Sequence, residues 1–146
     1  MQRIIIALLA LISFFFITSC SSSGSFSQYS SYRIDYFSGG GFTGMESGVT
    51  IYSNGTAKFW ERRPNSTSTV KDSLKLEDEK IKVFDQIMKN PKIFIYKNTY
   101  IGNYTTHLIL TSNENSNDIS FNAYDLPENM PKIFSDLITS IKKIRK

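Results

Sequence analysis

Between two runs rich in β-formers, Gly48-Val49-Thr50-Ile51-Tyr52-Ser53 and Thr56-Ala57-Lys58-Phe59-Trp60-Glu61, stands the dipeptide Asn54-Gly55. Asparagine followed by glycine tolerates the backbone conformations of a tight turn that matches strand twist, so this pattern predicts a β-hairpin more firmly than any other short signal. An antiparallel pair near the middle of the chain therefore constrains everything built around it. Upstream, Tyr32-Arg33-Ile34-Asp35-Tyr36 alternates apolar with charged residues, as a half-buried strand does, and Gly39-Gly40-Gly41 ends it. Downstream, Tyr104, Thr106, Leu108 and Leu110 alternate with Thr105, His107 and Ile109. The polar run from Asn113 to Asn117 turns that strand, and Ile119, Phe121 and Ala123 share one face of the next.

Two segments change to helical spacing. Arg62 to Ser73 is polar, contains Pro64 and reads as a loop leading into a strand near Val70 to Leu76. Glu77-Asp78-Glu79 then sets three acids where a helix dipole favours negative charge, and Ile81, Phe84, Ile87 and Met88 fall on one face before Asn90-Pro91 stops the helix. Leu126-Pro127 opens the last helix, whose Met130, Ile133, Phe134, Leu137, Ile138, Ile141 and Ile144 make a broad apolar stripe. Short turns between strands favour an antiparallel sheet, and both helices can cover one face of it. The expected fold is α+β: a two-layer sandwich of four to five antiparallel strands with two helices on one face, with Trp60 in the core.

The front of the chain points to export. One positive charge at Arg3 precedes Ile4 to Ile17, fourteen residues of which only Ser13 is polar. As a helix this run would rise about 21 Å, short of the roughly 30 Å hydrocarbon core of a bilayer. Ile17-Thr18-Ser19-Cys20 resembles the lipobox of bacterial lipoproteins. That resemblance implies cleavage after Ser19, a diacylglycerol thioether on Cys20, and a further acyl group such as palmitate on the new amino terminus. Two or three chains hold a membrane where one holds it marginally. Seven serines and no charge between Ser21 and Ser31 read as a flexible tether. The expected organisation is a signal peptide over 1–19, the lipidated cysteine and tether over 20–31, and one domain over 32–146. The residue after Cys20 is serine and not aspartate, which in lipoprotein sorting resembles an outer-membrane address facing the periplasm.

Charge and residue inventory exclude several classes. Loss of residues 1–19 removes Arg3 and no acid, leaving sixteen basic against thirteen acidic residues, or +3. Apart from Lys142, Lys143, Arg145 and Lys146 the bases are scattered, without the stripe that nucleic acid requires, so no nucleic-acid partner is expected. Those four close a predicted helix, where cations complement the dipole. Cys20 is the only cysteine and His107 the only histidine, and His107 lies on a presumed strand between Thr106 and Leu108 with no evident partner. A nucleophile, a base and a group to orient it are therefore not assembled, and neither are three or four nitrogen or sulfur ligands for zinc. Asn113-Glu114-Asn115-Ser116-Asn117-Asp118 is dense in oxygen but does not match an EF-hand, and such clusters are common in turns. No catalytic residue, metal or cofactor is expected.

Ser38-Gly39-Gly40-Gly41-Phe42-Thr43-Gly44-Met45 joins two strands with four glycines and two large apolar residues. Glycine permits such a turn whether Phe42 tucks back onto the sheet or faces a partner, and loops on a rigid sheet often carry binding. Together with the amphipathic helix, the strand beginning near Tyr104 and the Leu126-Pro127 step, Gly40-Gly41-Phe42-Thr43-Gly44 resembles the emfourin type of small bacterial protein. Members of that group inhibit thermolysin-like, protealysin-type zinc metalloproteases. The resemblance covers most of residues 32 to 142 and implies that Gly40, Gly41, Phe42, Thr43, Gly44 and Met45 form the partner-binding loop, with Phe42 or Met45 in the protease's apolar pocket. The expectation is thus a lipid-anchored protein-binding module, an inhibitor with a secreted metalloprotease as partner. The alternative is an assembly subunit of the envelope that meets its partner through a sheet edge or Tyr96, Tyr100 and Tyr104.

Overall fold

A computed structural model describes residues 31–113 and 115–145, except the side chain of Arg145. The expected signal peptide over 1–19, the lipobox-like run with Cys20 and all of the expected tether but Ser31 lie outside the described residues. Strands β1 (Tyr32–Gly40), β2 (Met45–Tyr52), β3 (Thr56–Arg62), β4 (Thr69–Lys75), β5 (Tyr104–Ser112) and β6 (Ser116–Asn122) form one antiparallel sheet in the order β4-β3-β2-β1-β5-β6. Helices α1 (Asp78–Met88) and α2 (Lys132–Lys142) cover one face. The α+β architecture is as expected, with six strands where four to five were read.

The strand expected near Val70 to Leu76 is present as β4, and it is the polar one. Residues Thr69–Lys75 offer only Leu74 to partial burial, and backbone pairing with β3 makes an edge strand of them that begins inside the stretch read as loop. Lys71 is an extra residue between the Phe59–Asp72 and Trp60–Val70 pairs, a bulge that bends this edge. At the opposite edge, the Ser120 amide donates to the Asn98 carbonyl and the Asn98 side chain donates back to Ser120 O, so the 96–103 segment covers β6.

The Asn54-Gly55 turn joins β2 to β3 as predicted, and Asn54 Oδ1 accepts the Thr56 amide at 2.9 Å. β-pairing then stacks the core-facing side chains in rows. Ala57, Ile51, Ile34 and Leu110 make one row, and Phe59, Val49, Tyr36 and Leu108 make the next. α1 sets Phe84 and Met88 against them, while α2 adds Phe134, Leu137, Ile138 and Ile141 at helical spacing. Tyr32 ties β1 to α1 by donating to the buried Asp85 at 2.8 Å.

Three details correct the sequence reading. The last helix begins at Lys132, after Pro131, and not at Leu126-Pro127, since the stretch before it is a turn closed by Met130 N to Pro127 O. Asn117 is not a turn residue. It is 1% exposed on β6, where its amide nitrogen bonds the carbonyls of Ile93 and Tyr96 and its oxygen accepts from Lys97. Trp60 is half-buried on the face without helices, outside the aliphatic core.

Candidate functional site

The glycine-rich loop lies at the far end of β1 from Tyr32. Gly40 and Met45 close the β1–β2 ladder, and the Gly44 amide bonds the Gly41 carbonyl at 3.3 Å to form the turn. Two neighbouring loops fix its backbone. Gly40, at φ +112°, approaches Asn103 so closely that a Cβ would collide with the carbonyl oxygen, and the next amide, Gly41, donates to that same oxygen. Gly44, at φ +58°, stands where a Cβ would come within 2.8 Å of Pro64 Cγ in the β3–β4 loop. Only glycine meets both the conformation and the contact at these positions.

Phe42 stands at the tip with its side chain fully exposed, at 108% of its reference area. It does not tuck back onto the sheet. Thr43 is also exposed, and its hydroxyl accepts weakly from the Met45 amide at 3.4 Å. Met45, 40% exposed, sits apart from Phe42 at the base of the loop. It lines a depression with Glu61, Arg63, Ser66 and Lys71. Of the six predicted loop residues, the structure displays Phe42 and Thr43 and uses the three glycines as the frame that holds them out.

Of the tyrosines read as an assembly surface, Tyr96 packs on Phe134 with ring centroids 5.1 Å apart, and burial pushes its phenol pKa up. Tyr104 stacks on the exposed Tyr124 at 5.7 Å, and Tyr100 is half-buried over β6.

The face without helices carries a network that sequence reading missed. Across the strands runs a row of Val70, Trp60, Gly48, Phe37 and His107. Gly48 has no side chain, so Phe37 and Trp60 meet above it with centroids 5.4 Å apart, and Phe37 stacks on His107 at 4.9 Å. In the adjoining row Trp60 Nε1 donates to Thr50 Oγ1 at 3.0 Å, Thr50 donates to Asp35 at 2.7 Å, and Arg33 closes on the other Asp35 oxygen at 2.8 Å. His107 is also not partnerless, because Asp118 lies 3.4 Å from Nδ1. The signal that could have found this network is strand parity: Arg33, Asp35, Phe37, Thr50 and Trp60 all point away from the aliphatic rows once the hairpin register is set.

His107 and Asp118 are exposed by 34% and 58%, and Ser120 stands opposite His107 in the β5–β6 register with its hydroxyl engaged by the Tyr100 amide. Among the described residues no group of three or more histidines, cysteines, aspartates or glutamates could hold a metal ion, and no helix is long and apolar enough to cross a membrane. No protein-family model matches the chain, and no curated protein matches it.

Proposed function

We propose that this chain is a lipid-anchored envelope protein, attached through Cys20, whose domain is a protein-binding module and not an enzyme. Its binding element is the Gly40–Met45 loop. The observation that carries this reading is Phe42, a fully exposed aromatic on a backbone pinned at both flanks. Burying such a side chain in a partner contributes about 1.5–3 kcal/mol, and the fixed loop loses little entropy in doing so. The eight steps of β1 from Tyr32 to Gly40 extend about 27 Å, so the loop points away from the place where the tether joins the domain. An outward-facing loop on an anchored domain suits a soluble partner beyond the membrane.

The partner class we infer is a secreted thermolysin-like metalloprotease, with Phe42 filling its apolar pocket. Full chain purified in non-ionic detergent, added at micromolar concentration to a thermolysin-family protease, should slow peptide hydrolysis, and Phe42→Ala should restore the rate. Undiminished hydrolysis with the unaltered chain would remove the inhibitor reading. Incorporation of radiolabelled palmitate into the mature product, lost in Cys20→Ala, tests the anchor separately.

A second reading, an assembly subunit of the envelope, draws on the outer edge of β4. Its backbone has no strand partner on that side among the described residues, whereas β6 is covered. Lys71, Asp72 and Lys75 on that strand oppose casual edge-to-edge pairing, so the loop remains the favoured element.

A further inference from the structure

On the helix side of the sheet, under the last turn of α2, lies a cavity of about 280 Å³. It exists because the third row of core-facing residues changes character. The two rows below are aliphatic and aromatic, but this one reads Glu61, Ser47, Ser38 and Thr106. Hydroxyl side chains are too small to reach the helix, and α2 ends at Lys142 above them. Tyr36, Ser38, Ser47 and Tyr104 supply the polar lining, and Val49, Phe59 and Ile141 the apolar walls.

Most of this polar chemistry is unspent. Ser38 and Thr106 share one hydrogen bond at 2.6 Å, which uses a single hydroxyl hydrogen of the two. The hydroxyls of Tyr36 and Ser47 and the ammonium of Lys142 have no hydrogen-bond or ionic partner among the described residues. Lys142, itself exposed to solvent, is the one charged lining group among the described residues, and Glu61 pairs with Lys71 outside the lining. Burial raises the Tyr36 phenol pKa, so it remains a donor into alkaline solution.

We propose that this cavity binds a small ionised carboxylic acid, its carboxylate taken by the Tyr36 and Ser47 hydroxyls and the Lys142 ammonium, its short aliphatic tail set against Val49, Phe59 and Ile141. A carboxylate leaving water needs two or three donors, preferably one charged, and that is the set available. A cation would face Lys142 with no compensating acid. A doubly charged phosphate would have one cation and an apolar wall. The volume lies just under the usual range for small-molecule sites, roughly 300–1,000 Å³, which restricts the ligand to a few carbons.

The probe is butyrate, added to the full chain in non-ionic detergent while backbone amide resonances are followed. Saturable shifts confined to Tyr36, Ser38, Ser47 and Gly48, absent with butylamine and with 1-butanol, are expected. Lys142→Gln should weaken butyrate about tenfold, the loss of one charge-assisted contact. Ser47→Ala should weaken it as well, and retained amide dispersion certifies that each variant is folded. Linear, unsaturating shifts would overturn the proposal. So would equal affinity for 1-butanol, which would make the cavity a merely apolar one, or stronger binding of inorganic phosphate. Should either variant fail to fold, the discrimination of the unaltered chain between butyrate and its alcohol decides the matter.

Discussion

On the helix side of the sheet, Ile34, Ile51, Leu108 and Leu110 are at 0% exposure, packed under α1 and α2. On the other face of the sheet, Arg33, Asp35, Thr50, Phe37 and Trp60 are held through named pairs: two hydrogen bonds, an ion pair and a ring contact. The backbone ladder is common to both faces. What differs is that burial on the first face depends on area and is collective, whereas the second depends on geometry and is pairwise. A truncation in the aliphatic layer should therefore be felt by every neighbour, and one on the open face only by its partners.

The sharpest way to break this contrast is to truncate each side in turn. Phe134, 0% exposed on α2 and in contact with Tyr96, should cost about 4 kcal/mol as Phe134→Ala, because the cavity left behind is not refilled. Denaturant unfolding of the full chain measures it. Trp60→Ala, a larger deletion by volume, should cost only about 2 kcal/mol, from a half-buried ring contact and one hydrogen bond. If Trp60→Ala matched or exceeded Phe134→Ala, the open face would be a second core, and the division drawn between the faces would fail.

How far the chain announced this division depends on which signal is asked. The hairpin at Asn54-Gly55 and the stripes of both helices were legible because each is local: turn chemistry in two residues, periodicity in about ten. Strand β4 was half-hidden, since a solvated edge needs no apolar face and Thr69 to Ser73 carries none. Trp60 was misassigned for the opposite reason. Its hydrophobicity suggests burial, but parity with Lys58 and Arg62 puts it on the open face, and parity matters only after the register is known. The loop residues Gly40 to Met45 were found by their glycines, yet the contacts that make those glycines necessary, with Asn103 and Pro64, are about 60 and 20 residues away along the chain. The hydroxyl row of the cavity gave no warning, because serine at the end of a strand is what a turn also looks like.

That row is where the helix side departs from its own rule, and it yields an intermediate test. Thr106 is 1% exposed, and its hydroxyl is satisfied by Ser38 alone among the described side chains. Ser38→Ala should then cost about 1 kcal/mol by leaving a buried hydroxyl without its partner, while Ser38→Ala combined with Thr106→Val should recover most of that loss. A double variant no more stable than the single one would mean that the row is already wetted from the cavity, and that the aliphatic layer ends one row lower than burial indicates.

The smallest effect belongs to the open face's rim. His107 and Asp118 approach to 3.4 Å, a contact that is ionic only when the imidazole is protonated, and with 34% and 58% of their side chains in solvent any attraction is screened and both groups keep their hydration. Asp118→Asn should change stability by less than about 0.5 kcal/mol. His107→Ala should cost more, because it also removes the ring stacked on Phe37 at 4.9 Å, an interaction of about 0.5–1.5 kcal/mol that does not depend on charge. The two variants measured at low and at high salt separate the terms. Loss in His107→Ala that is insensitive to salt locates the contribution in the aromatic row between β1 and β5, whereas a loss that vanishes in salt and equals that of Asp118→Asn would transfer it to the His107–Asp118 contact between β5 and β6 and leave the stacking on Phe37 without a measurable share.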